Sequence, residues 1–122
     1  MNKSVMIDRV KNRIYIHFEG FMDVDRAQEL HDAYREAITQ AKPGYTVLTY
    51  AERYKPGGPE VQEIVSRMTQ MAGDSGCSKV ARVIGQSPLG AMQINRLAKG
   101  AAAYESQHFR TEKEAEEYLD GA

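Results

Sequence analysis

The chain has no tryptophan, a single cysteine, four prolines and three phenylalanines in its 122 residues. With Cys77 alone, an intramolecular disulfide is excluded. A dominant sign of charge is also missing: 16 Lys and Arg against 17 Asp and Glu leave a formal net charge of -1, too little to draw in nucleic acid or an anionic membrane. No apolar run approaches the roughly 18 to 20 residues that a spanning helix requires, so no transmembrane segment is expected. The opening stretch, MNKSVMIDRVK, holds no apolar run of signal-peptide length, and the cytoplasm is the expected compartment. What is present, 42% apolar and 27% charged residues, is enough to build an ordinary core. A chain of this length is expected to be one domain, residues 1–122, that folds without a metal or a disulfide. No internal repeat, low-complexity tract or interdomain linker interrupts it.

Periodicity then orders the elements. Val5, Ile7 and Val10, followed by Lys11-Asn12 and the alternating Ile14, Ile16 and Phe18, predict a β-hairpin. Asp23 is placed to cap a helix whose apolar side carries Val24, Ala27, Leu30 or His31, Tyr34, Ile38 and Ala41, and which ends before Pro43-Gly44. Tyr45 to Tyr50 reads as a strand buried by helices. Pro59 opens a second helix, with Val61, Ile64, Val65, Met68, Met71 and Ala72 as its apolar stripe and Gly73 as its stop. Lys79 to Ile84 predicts a strand, Ser87-Pro88 a third helix to about Lys99, and Tyr104 to Phe109 a last strand. Thr111 and Glu114 form a capping box for a closing helix that turns Ala115, Tyr118 and Leu119 inward. The expected fold is α/β: a central mixed sheet of about five strands, antiparallel at the opening hairpin and parallel afterwards, flanked by about four helices.

The stretches IYIHFEGFMDVDRAQEL, PGYTVLTYAERY, CSKVARVIGQSPLGAMQINRLA and HFRTEKEAEEYL resemble the SpoIIAA-like proteins, which share the STAS fold of bacterial anti-sigma-factor antagonists. The likeness runs over nearly the whole chain and rests on apolar spacing. It implies that fold and a regulatory role; a non-enzymatic one is expected because no nucleophile-base pair, metal set or cofactor loop can be recognised. In the antagonist branch of that fold a regulatory serine lies in a DSSG-like segment at the entrance of the second helix. Here that place holds YAERYKPGGPEV, which has no serine or threonine. The only similar tripeptide, Asp74-Ser75-Gly76, follows the second helix. Asp74 and Ser75 are expected to bond nearby backbone amides there and Gly76 to take a positive φ, so this is a turn and the antagonist-type phosphoserine switch is not expected. A phosphate on Ser75 would also face Asp74 and a helix C-terminus.

In open α/β sheets ligands collect beyond the carboxyl ends of the parallel strands. Two loops answer that description. One runs from Tyr50 to Pro59, with Glu52, Arg53, Tyr54 and Lys55 ahead of Gly57 and Gly58, a pair that suits a mobile flap. The other, Gly85-Gln86-Ser87-Pro88, opens the third helix, along which Met92, Gln93 and Arg96 follow. Helix-terminal amides with Arg53, Lys55 or Arg96 could receive an anion, although the lysine and hydroxyl of a phosphate loop are lacking. Met68, Met71 and Met92, with Leu89, could line an adaptable apolar cavity or serve as core.

His17, His31 and His108 have no compact ligand spacing, and with neither cysteine partners nor an HExxH motif no metal site is expected. His17 and His31 could meet between the hairpin and the first helix. Cys77 reads as a turn thiol without a neighbouring base. Basic residues form scattered pairs with no interleaved aromatics, so nucleic acid is not expected as a partner. No cofactor loop and no nucleophile-base pair can be recognised.

The expected function is a cytoplasmic regulatory or protein-interaction module working through the second and third helices and the Tyr50–Pro59 loop. The alternative is a carrier or sensor of a small apolar or amphiphilic ligand bound under those helices, a role in which the likeness of the architecture to lipid-carrying CRAL-TRIO domains is one of fold alone. An uncovered sheet edge or helix face gives a route to a homodimer.

Overall fold

The computed structural model describes residues 4–18, 20–51, 54–55, 57–84 and 105–121, and of Gly20, Phe21, Tyr54, Lys55 and Glu105 the backbone alone. The hairpin is there: β1 (Val5–Asp8) pairs antiparallel with β2 (Arg13–His17), Val5 opposite Ile16 and Asp8 opposite Arg13. Its turn is closed by Asp8, whose carboxylate accepts from the amides of Val10 and Lys11 at 3.0 and 3.1 Å. Asn12 takes a φ of +53°, a region asparagine tolerates, and its side-chain amide exchanges two bonds with the Lys42 backbone. Val10 belongs to this turn and is 97% exposed, not part of the strand's apolar side.

Beyond the hairpin the sheet is parallel. Its order is β1-β2-β4-β6-β7, with β4 at Thr46–Tyr50, β6 at Lys79–Val83 and β7 at Glu105–Phe109. Two short segments, β3 (Gly20–Phe21) and β5 (Tyr54–Lys55), pair parallel with each other as a separate ribbon.

α1 (Val24–Ile38) starts where Asp23 accepts a bond from the Arg26 amide at 2.8 Å. It buries Ala27, Leu30, Tyr34 and Ala37, while Val24 stays exposed. α2 (Pro59–Asp74) has Pro59 in its first turn and buries Val61, Ile64, Val65, Met68, Thr69 and Ala72. Gly73 does not end it. The helix continues because the Ser75 amide still reaches Met71 C=O, and the chain leaves at Gly76, where φ is +88° and the Cys77 amide returns to Ala72 C=O. That six-residue backbone bond is how a left-handed glycine closes a helix. α3 (Glu112–Leu119) has Thr111 as its cap: the hydroxyl accepts from the Glu114 amide at 3.2 Å and donates to the Glu114 carboxylate at 3.0 Å, so the glutamate reaches the cap's hydroxyl and not its amide.

The described residues thus hold three helices where about four were expected; the helix expected from Ser87 to about Lys99 lies outside them. No helix among the described residues is long and apolar enough to cross a membrane. The sheet has a core on each face. Ile14, Ile16, Val47 and Val80 pack against Leu30, Tyr34, Ile64, Val65 and Met68 of α1 and α2. Leu48, Ala81 and Val83 pack against Ala115 and Leu119 of α3.

Candidate functional site

Of the candidate residues, Glu52, Arg53, Gln86, Ser87, Met92, Gln93 and Arg96 lie outside the described residues, as do the side chains of Tyr54 and Lys55. The remaining five, Tyr50, Gly57, Gly58, Met68 and Met71, do not form one patch.

Tyr50 lies on the opposite face of the sheet from α2. Strand alternation turns Val47 and Thr49 toward α1 and α2 and Leu48 and Tyr50 toward α3. There Tyr50 donates to Glu112 at 2.9 Å and stacks on His17, with ring centroids 4.2 Å apart and planes 8° from parallel. Burial and the Glu112 carboxylate hold its hydroxyl well above the usual phenol range. His17 therefore meets Tyr50 and not His31, which sits on α1 and bonds to Asp32 at 3.0 Å.

Gly57 and Gly58 enter α2 in different ways. A Cβ on Gly57 would lie 2.6 Å from Met22 C=O and 2.8 Å from the Val61 side chain, so this position is a close backbone approach and not a free flap. Gly58 faces open space and occupies the helix cap without a side chain to bond the first amides. Met71 is thirteen residues further along, about 20 Å at the helical rise.

The two methionines of the stripe also part company. Met68 is 4% exposed and borders a cavity of about 40 Å³ beneath α2, walled by Ile16, Phe18, Tyr34 and Val65, with Thr49, Thr69 and Arg82 as its polar members. A space of that size takes a few waters and falls well short of the roughly 300 to 1,000 Å³ of small-molecule sites. Met71 is half-buried and lies in an open hollow of about 300 Å³ on the outer side of α2, with Arg67, Gln70, Asp74 and Ser75.

Ser75, at the edge of that hollow, uses its hydroxyl internally. It is 2.7 Å from the Tyr45 hydroxyl, donates to Ala72 C=O at 3.2 Å, and through Tyr45 joins a buried chain to Tyr34 at 2.8 Å. The expected bonds to backbone amides are replaced by these. Cys77 is buried next door, and burial pushes its thiol up to about 12, so it is protonated at neutral pH.

Among the described residues the densest charge cluster is one the sequence reading did not include. Arg13, 2% exposed, donates to Glu116 at 2.7 Å, Asp120 at 2.8 Å and Thr46 at 3.0 Å, while Tyr15 also donates to Glu116 at 3.0 Å. The alternation of Arg13, Tyr15 and His17 on the polar side of β2 was its one visible signal. These groups bind α3 to the sheet. Compared with protein-family models and with curated proteins, the chain finds no match.

Proposed function

We propose that the domain is a non-enzymatic regulatory or protein-interaction module of the SpoIIAA-like, STAS-fold type, working in the cytoplasm without an antagonist-type phosphoserine. The observation that carries this choice is the division of Met68 from Met71. The carrier reading places both thioethers on one cavity, whereas Met68 closes a small space inside and Met71 lies in an outer hollow with Arg67, Gln70 and Asp74. A half-buried methionine ringed by charged and amide side chains suits the end of a partner's side chain, since the thioether adapts to what it meets and the rim gives direction. Ser75 serves this surface as a structural hydroxyl.

The carrier alternative retains the polar wall of the inner cavity, where Arg82 and two threonines could face the head of a small amphiphile. It requires α2 to lift from the sheet.

Photo-crosslinking from position 70 in the protein's own host separates the two. A discrete protein adduct from position 70 that is lost on Met71→Glu, and that is absent when the crosslinker is placed at Lys113 on α3, supports the module. Undiminished adducts in Met71→Glu exclude this surface as the site of contact.

A further inference from the structure

β1 is the outer strand of the sheet, and the phase of its ladder shows which backbone groups look outward. His17 N–H donates to Ser4 C=O at 2.8 Å, while the alternate residues of β2 serve β4: Asn12 C=O accepts from Thr46 N–H at 3.0 Å and Phe18 N–H donates to Tyr50 C=O at 2.8 Å. Bonded pairs alternate along an antiparallel ladder, so Met6 and Asp8 bond to β2, and Val5 and Ile7 turn their N–H and C=O groups away from the sheet. A recess flanks this edge on each face. One, of about 460 Å³, lies between β1 and α1 and includes Val5, Ile7, Ala33 and Glu36. The other, of about 600 Å³, is bordered by Met6, Arg9, Tyr15 and His17. Met6 is 61% exposed beside both. An outer strand with a recess on either face is shaped to receive another strand, whose alternate side chains enter the two recesses.

We propose that β1 is the two-fold interface of a homodimer, in which it pairs antiparallel with β1 of a second copy. Three requirements leave one register. Opposed side chains must share a face of the continuous sheet, the bonded pairs must be the outward-facing residues, and both of those residues must be used. Val5 then opposes Ile7 of the second copy, Ile7 opposes its Val5, and Met6 meets Met6 on the axis. Four N–H···O=C bonds complete the ladder. The Met6 pair is of the close, non-bonded kind, and its thioethers meet over the recess that holds Tyr15 and His17.

About a dozen residues per copy border the two recesses, against some 20 to 30 on each side of a standard stable interface, so the dimer depends on concentration. The α2 surface takes no part, and the two assignments stand independently.

Sedimentation equilibrium of the full chain from low micromolar to millimolar concentration tests the proposal. The expected result is a monomer–dimer equilibrium that Met6→Lys, a change at an exposed side chain, weakens by about tenfold or more through like charges opposed on the axis. A chain that stays monomeric throughout overturns the proposal, as does a dimer indifferent to Met6→Lys.

Discussion

Arg13 Nη1 lies 2.7 Å from Glu116 Oε1, which ties the start of the second strand to the closing helix across 103 residues of sequence. The guanidinium is buried and the carboxylate is about a quarter exposed. That inequality gives the pair its consequences.

Removing the carboxylate leaves a buried cation with Asp120 as its remaining charged partner, whereas removing the cation leaves a carboxylate that water reaches. Glu116→Ala is expected to cost about 2 kcal/mol, less than the 3 to 5 of a fully enclosed pair, and Arg13→Met about 1 kcal/mol or less. Urea unfolding of the two variants decides the order. Arg13→Met proving the more damaging would mean that the guanidinium's bond to Thr46, and not its charge, holds this corner together.

The same network sets an acid limit. Burial pushes Glu116 up, but the bonds from Arg13 and Tyr15 and the charge of Arg13 outweigh it and hold the group below its ordinary 4.5; the Arg13 bond holds Asp120 below 3.8. A carboxylate whose folded pKa is depressed contributes stability that is complete above the unfolded value and is lost as pH falls through the folded one. Stability should therefore hold from neutrality to about pH 5 and decline below pH 4.5, with Glu116→Gln flattening the decline. Equal slopes for the parent and Glu116→Gln would remove Glu116 from the explanation.

At the entrance of α2 the two glycines should answer mutation differently. Gly57→Ala places a methyl group against the Met22 carbonyl and should cost about 1 to 3 kcal/mol. Gly58→Asp adds an acceptor for the first helical amides in open space and should gain a few tenths of a kcal/mol. Thermal unfolding midpoints that move together would contradict the close approach at Gly57.

Cys77 should be silent toward Ellman's reagent in the folded protein at mildly alkaline pH, because burial both raises its thiol to about 12 and bars access. Its reaction should follow unfolding, with the rate rising in step with the denatured fraction. Prompt stoichiometric labelling without denaturant would place the thiol at the surface.

The parts of the fold that local chemistry dictates were legible. Alternation on Ile14 and Ile16, the Asp23 and Thr111 caps, and Pro59 all mark elements whose causes lie within a few residues. Val10 and Gly73 were misplaced because apolar character and helix-stopping tendency are weak next to what surrounds them: the Asp8 turn claims Val10, and the Cys77 amide lets α2 run past Gly73. The candidate site was harder to read. Tyr50 and Met68 are near each other only if the face of the sheet is ignored, and one residue of strand phase separates them by the thickness of the sheet. The pairing of Arg13 with Glu116 and Asp120 was not legible beyond the polar alternation of β2, since contacts more than 100 residues apart leave no local pattern that names the partner.

In the proposed function a partner reads the outer face of α2 around Met71. Native mass spectrometry of the protein taken intact from its own host, in parent, Met71→Glu and Met68→Phe forms, tests it most directly. The expected result is a complex of integer stoichiometry with another protein, lost in Met71→Glu and kept in Met68→Phe, and no small-molecule mass released on denaturation. A reproducible small-molecule adduct that disappears in Met68→Phe and persists in Met71→Glu would contradict it and make the cavity beneath α2 the working site.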